Sequence, residues 1–217
     1  MTDDSNDQLT RLDYPGGRWI EYTYDEFGRQ TSIKFDDDYH VEYKYNSLGL
    51  LWQVIDVLQG NLVVTEYEYD AQGRPIKETQ GNGTYTEYHY DTFGFLLTKT
   101  DYNASDVVLS KFEYEYNAKG LVGEMTTNDG TWSYGYDSIG QLTSAIFVSS
   151  NTEIEDHDYK YIYDAAGNRV ETITNSISVE YVVNSMNQYT KIGNFEYKYD
   201  ADGNMIEKFE YEYDAWG

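Results

Sequence analysis

The pattern Tyr-x-Tyr-Asp-x-x-Gly returns ten times along this chain in strict or near form, and no other feature restricts the fold as much. The first copy is Tyr22-Thr23-Tyr24-Asp25-Glu26-Phe27-Gly28. Its leading tyrosine recurs at Tyr43, Tyr67, Tyr88, Tyr114, Tyr134, Tyr161, Tyr181, Tyr197 and Tyr211, and its second at Tyr45, Tyr69, Tyr90, Tyr116, Tyr136, Tyr163, Tyr199 and Tyr213. Nineteen of the 25 tyrosines fall in the frame, so the tyrosine content belongs to the repeat. The acid of the first copy returns, as itself or as its amide, at Asn46, Asp70, Asp91, Asn117, Asp137, Asp164, Asn184, Asp200 and Asp214. Three residues later come Gly49, Gly73, Gly94, Gly120, Gly140, Gly167, Asn187, Gly203 and Gly217.

Each position has a physical reason. Asp or Asn at the first corner of a type I turn accepts a hydrogen bond from the backbone two residues on, and Gly at the fourth supplies a left-handed conformation. Together these make a four-residue hairpin loop with a glycine bulge. The copy without Gly has Asn187, the residue that next most readily adopts that conformation. Tyrosines at i and i+2 share one strand face. Half of the residues between them are charged, among them Lys44, Glu68 and Lys198, which suits a face in water. The tyrosine face is then the covered one, or it faces an enclosed space. Alternating aromatic and β-branched residues punctuated by turns are strand and hairpin chemistry, so the chain is expected to be all-β.

Successive motif acids lie 21, 24, 21, 26, 20, 27, 20, 16 and 14 residues apart. Short and long intervals alternate at first, which points to paired hairpins in which every second variable loop is enlarged. The enlarged loops lie around Leu58-Gln59-Gly60-Asn61, Asn103-Ala104-Ser105-Asp106 and residues 149–153, and short ones around residues 36–38, 80–83, 128–130 and 175–176. Constant turns would line one edge of the ribbon and variable loops the other. A meander of this length cannot stay flat, because neighbouring strands rotate by roughly 20°. The expected architecture is an antiparallel hairpin meander curling into a spiral sheet, a partial cocoon or a barrel wall. Residues 1–8 read as a polar, flexible lead and residues 9–217 as one continuous array. Apolar runs after the motif Gly, such as Leu50-Leu51-Trp52 and Phe95-Leu96-Leu97, leave inside and outside unassigned on the return strands.

Composition narrows function. A mean hydropathy of -0.72 with 17% aromatic residues is too polar for an ordinary core and too aromatic for disorder, so tyrosine rings must supply the buried apolar area. The chain has no cysteine, which excludes disulfides and zinc thiolates. A net charge of -24 repels nucleic acid and anionic membranes. No stretch reads as a signal peptide or a membrane span, so neither nucleic-acid binding nor membrane insertion is expected.

Ten copies of the frame, often followed by Arg, Leu, Gln or Asn as in Tyr69-Asp70-Ala71-Gln72-Gly73-Arg74 and Tyr163-Asp164-Ala165-Ala166-Gly167-Asn168-Arg169, resemble the YD repeats of the Rhs (rearrangement hot spot) family. The resemblance covers residues 9–217. It implies a β-sheet spiral forming a hollow cocoon, which encloses a C-terminal toxin domain in bacterial Rhs and insecticidal toxin-complex proteins and forms an extracellular barrel in teneurins. It also implies a secreted or cell-surface setting, with further YD repeats or an effector domain of a longer parent as partners. The family's DPxGxxDG-type self-cleavage motif is absent from this sequence, and ten motifs are too few to enclose a cargo alone, so the resemblance is to a piece of the wall.

Catalytic residues, cofactors and bound metals are not expected. His40, His89 and His157 stand in no recognised catalytic pattern. Residues 155–158, Glu-Asp-His-Asp, are read as a polar loop, and Asp200-Ala201-Asp202-Gly203-Asn204 as a turn, since Lys198 occupies the first ligand position of a calcium loop aligned on Gly203. Two alternatives to a structural wall remain: a surface module holding neutral glycans or a protein through tyrosine, Trp132 or Trp216, and self-association through open strand edges.

Overall fold

The computed structural model describes residues 2–210, and every regular element among them is a β-strand. The motif residues Tyr211, Tyr213, Asp214 and Gly217, with Trp216, lie outside the described residues. The chain divides into two compact units, Met1–Phe112 and Glu113–Gly217.

The first unit is a meander of β1 (Thr2–Asp3), β2 (Leu9–Asp13), β3 (Trp19–Tyr24), β4 (Gln30–Phe35), β5 (His40–Tyr45), β6 (Leu51–Asp56), β7 (Leu62–Tyr69), β8 (Pro75–Gln80), β9 (Tyr85–Tyr90) and β10 (Leu96–Tyr102). Each strand pairs antiparallel with the next. Strand β11 (Val108–Tyr116) carries the chain into the second unit. There β12 (Val122–Thr127), β13 (Gly130–Tyr136), β14 (Leu142–Ser149), β15 (His157–Tyr163), β16 (Arg169–Thr174), β17 (Ile177–Val183), β18 (Tyr189–Ile192), β19 (Phe195–Tyr199) and β20 (Met205–Glu210) repeat the plan. The all-β hairpin meander expected from the turn frame is what each unit builds. Within each, motif turns and variable loops alternate from one edge to the other. Residues 1–8, read as a flexible lead, hold β1 and the turn that pairs it with β2.

The return strands, unassigned from sequence, are explained by a bulge that recurs at one position. In β3/β4 the partner of Thr23 is Ser32 and that of Tyr24 is Gln30, so Thr31 is the extra residue. The same slip occurs between the two residues preceding the motif acid in β5/β6, β7/β8, β9/β10, β13/β14, β15/β16, β17/β18 and β19/β20. The extra residue shifts the alternation behind the turn: Trp52 and Leu97 are exposed while Leu51 and Leu96, opposite the second tyrosine, are half-buried, whereas after Gly73 Pro75 is exposed and Ile76 half-buried.

The core is thin, as the hydropathy requires. Among the described residues only Ile55, Ala145 and Phe147 are buried apolar side chains, and no large side chain is fully enclosed. Half-buried tyrosines do most of the covering: in the nine described motifs both tyrosine positions are half-buried, and the residue between them is exposed in every copy except at Gly135.

Candidate functional surface

The nine described motif turns share one hydrogen-bond geometry. At the first, the Asp25 N–H donates to the Arg29 carbonyl at 2.9 Å and the Gly28 N–H to the Asp25 carbonyl at 3.0 Å. The Asp25 Oδ1 accepts from the Phe27 N–H at 2.9 Å and the Arg29 N–H at 3.0 Å. Asn46, Asp70, Asp91, Asn117, Asp137, Asp164, Asn184 and Asp200 each accept the same two backbone N–H groups. The fourth corner is left-handed throughout, from Gly28 at φ 78° to Asn187 at φ 59°. Two more turns of this design occur where Tyr-x-Tyr does not precede them. Asp4 accepts from Asn6 and Gln8, and Asn103 from Ser105 and Val107, with Asp7 and Asp106 as the left-handed residues. A search for the first corner alone, acid or amide followed three residues later by one tolerant of positive φ, would have found both.

A contact between neighbouring motifs was not legible in the frame. In six of the described motifs the second tyrosine donates its hydroxyl to the backbone carbonyl at the start of the preceding return strand. The bonds run from Tyr24 to Leu9 at 2.8 Å, Tyr45 to Gln30 at 2.7 Å and Tyr69 to Leu51 at 2.6 Å in the first unit. In the second they run from Tyr136 to Val122 at 2.8 Å, Tyr163 to Leu142 at 2.9 Å and Tyr199 to Tyr189 at 2.9 Å. Each acceptor lies two residues past the left-handed corner of the previous turn. Tyrosine is therefore specified at this position twice, as a ring for coverage and as a hydroxyl that satisfies a carbonyl at the sheet edge.

The residue after the glycine completes the lacing. The Arg29 Nε donates to Asp25 Oδ2 at 2.7 Å while its guanidinium lies 4.5 Å from the centre of the Tyr45 ring, in the next motif. Arg74 repeats this with Asp70 at 2.6 Å and the Tyr90 ring at 4.6 Å. Where the residue after the left-handed corner is a glutamine it reaches a backbone carbonyl of the following turn, Gln8 to Gly28 at 3.0 Å, Gln141 to Gly167 at 3.5 Å and Gln188 to Gly203 at 3.3 Å.

Electrostatics follow these contacts. Burial would raise the Asp25 and Asp70 carboxyls, but their arginines and turn N–H groups outweigh it and hold both below the ordinary value. Asp164 and Asp200 are held low by the amides of Asn168 and Asn204 and by turn N–H groups. On the tyrosine face, burial pushes up the phenols of Tyr43, Tyr67, Tyr88 and Tyr134. Tyr85 is pushed to about 12, chiefly because its hydroxyl donates to Asp106, 2.9 Å away.

The residues weighed for chemistry are dispersed. His89 is exposed between its motif tyrosines. His157 stacks with Phe147 and lies against Tyr159, at 6.2 and 5.8 Å between ring centres, joining a cluster with Trp132. The Asp156 Oδ1 accepts the Ser149 N–H at 2.8 Å, which closes its loop. Among the described residues no three His, Cys, Asp or Glu side chains converge as metal ligands would.

With the laced turns in view, comparison with known proteins is decisive. The profile of the teneurin YD-shell matches residues 37–161 and 95–217. The chain belongs to the teneurin YD-shell family. An RHS repeat profile matches residues 4–38, which include the Asp4 turn. No curated protein matches the chain. Among solved structures, this YD-shell chain is similar to TcdB2-TccC3, with a TM-score of 0.73 and 18% identity over 94% of its length. It is also similar to the Tc holotoxin pore of Photorhabdus luminescens, with a TM-score of 0.71 and 18% identity over 91% of its length. At that identity the likeness is one of fold. The YD-shell chain spans 13% and 12% of the lengths of those two chains.

Proposed function

We propose that this chain is a non-enzymatic structural segment of a YD-repeat shell, part of an encapsulating β-cocoon in a secreted or cell-surface toxin or adhesin system. The observation that carries the reading is the lacing: second-tyrosine hydroxyls bind the carbonyls of the preceding hairpin, so each repeat is completed by its neighbour. A chain built this way gains stability by continuation, as solenoids do. The motif residues from Tyr22 to Gly203 are then wall-building residues, and the partners are further repeats or an effector segment held against the tyrosine face. Membership of the YD-shell family and the likeness to TcdB2-TccC3 support the same reading.

Electron microscopy and limited proteolysis of the natural gene product test it. A hollow β-walled particle with a protease-protected segment inside is the expected result. A product with no enclosed volume and no protected segment overturns it.

A second reading, a module for neutral glycans, is favoured by one observation. Trp132 lies 5.0 Å from Phe147 and 6.2 Å from Tyr159 between ring centres, which gathers rings from β13, β14 and β15 on one face. A neutral-glycan array is the test: a hit lost in Trp132→Ala supports this reading, and a blank array rejects it.

A further inference from the structure

The eighth motif departs from the frame twice, with Val183 in place of the second tyrosine and Asn187 in place of the glycine. Val183 pairs across its hairpin with Tyr189, so the ring has changed strands. The Tyr189 hydroxyl does not repeat the usual bond to a carbonyl; it accepts the backbone N–H of Arg169 at 3.1 Å. Arg169 lies opposite Tyr163 in β15/β16, and its guanidinium is 4.5 Å from the Tyr161 ring centre and 6.0 Å from that of Tyr163. The lattice of second tyrosines is thus interrupted where an arginine stands.

That arginine differs from the other four. Arg11 pairs with Asp13 and Glu21, Arg18 with Asp36, Arg29 with Asp25 and Arg74 with Asp70. Among the described residues Arg169 meets no carboxylate, and its Nε is buried without an acceptor. Burial lowers its affinity for the proton, but the hydroxyls of Tyr163 and Tyr181 outweigh this, so the cation persists. The Asp158 Oδ1 is also buried without a partner, yet Asp158 alternates with Tyr159 along β15 and projects from the opposite face. A guanidinium carries five donors in a planar fork, and phenol oxygens and ring faces leave much of that capacity unused. An uncompensated half-buried cation is costly, and a bidentate carboxylate is the group that relieves it best.

We propose that Arg169, flanked by the hydroxyls of Tyr163 and Tyr181, is a docking site on the tyrosine face for a carboxylate. The surrounding chain carries 39 acidic residues against 15 basic ones, so its general field repels carboxylates. A carboxylate held on this face is therefore held at this point. The site rests on the surroundings of Arg169 and not on the shell reading, so either can fail alone.

The test follows the Arg169 Nε–H resonance of the full chain by NMR at fixed ionic strength, titrated with acetate, with glutamate blocked at both termini, and with acetamide as the neutral control. Both carboxylates are expected to shift it saturably while acetamide does not, and the Arg29 and Arg74 resonances stay put because their carboxylate partners are already present. Val183→Tyr restores the missing ring and is expected to weaken the response about tenfold. Arg169→Gln removes it. Tighter binding of the blocked glutamate assigns the site to a polypeptide side chain, and equal binding to a free carboxylate. No saturable shift, or an equal shift with acetamide, overturns the proposal. Should Arg169→Gln fail to fold, the wild-type and Val183→Tyr titrations decide alone.

Discussion

Three loops on the variable edge, at Phe35, Gln80 and Asn103, follow the backbone route of the motif turns on the other edge, and of these only the Asn103 loop is also closed like one. At Phe35 and at Gln80 the loop makes the two bonds of a motif turn: the first-corner N–H to the carbonyl four residues on, and the fourth-corner N–H back to the first-corner carbonyl. What these loops lack is the side-chain acceptor at the first corner. Their side-chain acceptors sit further into the loop, where Asp37 and Asn82 each accept the N–H two residues on, whereas a motif turn is held by Asp or Asn at its first corner and then bound to its neighbours by tyrosine, arginine and amide side chains. The backbone route thus tolerates many sequences, and the side-chain contacts make one edge repeat and leave the other free to vary.

The sharpest test of that contrast is a position where the variable edge is the more demanding. Gly130 ends the tight 128–129 loop, and a Cβ there would collide with the Val148 carbonyl oxygen and lie 2.8 Å from the Phe147 ring. Gly130→Ala is expected to cost about 3 kcal/mol, since the backbone of β14 must move. Gly28→Ala on the motif edge meets only the end of the Gln8 side chain, at 3.2 Å, and is expected to cost roughly 1–2 kcal/mol for its left-handed φ of 78°. Urea unfolding of both variants measures the difference. If Gly28→Ala is the costlier, the motif edge is the more tightly packed and the contrast is misplaced.

Next in size is the first-corner acceptor. Asn46→Ala strands the N–H groups of Leu48 and Leu50, now bound at 2.9 and 3.0 Å, and should lose roughly 1–2 kcal/mol. Asn82→Ala on the variable edge removes one backbone and one hydroxyl contact, both to Thr84, in an exposed loop, and should lose about 0.5 kcal/mol. The lacing is tested by Tyr69→Phe, which deletes the 2.6 Å bond to the Leu51 carbonyl and should cost about 1 kcal/mol. Tyr67→Phe, at the first tyrosine, is expected to be nearly neutral. Equal losses at the two tyrosines would reduce the second position to ring coverage.

The turn corners, the strand alternation before them and the polar face were legible because each depends on residues adjacent in sequence. The alternation after them was not, because the bulge at Thr31 and its equivalents adds a residue to one strand and reverses the facing of Trp52 and Leu97. The lacing could not be read either. A phenol that meets a carbonyl from the preceding hairpin, as Tyr69 meets Leu51, depends on register between strands. The turn at Asn103 was hidden for a simpler reason: Asp106 does the work of glycine there, and it was read as part of an enlarged loop. The distinction of Arg169 is a carboxylate partner it lacks, and no residue adjacent in sequence reveals that.

The smallest expected effect is in acid, and it separates the Asp copies of the motif from the Asn copies. Asp25, Asp70, Asp164 and Asp200 are all held below the ordinary value of 3.8 by the donors gathered at their turns. A carboxyl depressed in the folded state contributes stability that is complete above its unfolded value and is lost as the pH falls through its folded one. Asn46, Asn117 and Asn184 make the same backbone bonds with nothing to titrate. A chain carrying Asn at all four Asp positions is therefore expected to lose less stability than the parent as the pH falls below about 4, with urea midpoints followed from neutrality to about pH 2. Asp13, Glu42 and Asp101 are also depressed and are present in both proteins, so the difference in slope belongs to the turns. Parallel slopes would mean that the turn N–H groups hold a neutral acid as well as an ionised one, and the motif edge would then owe its closure to shape rather than charge.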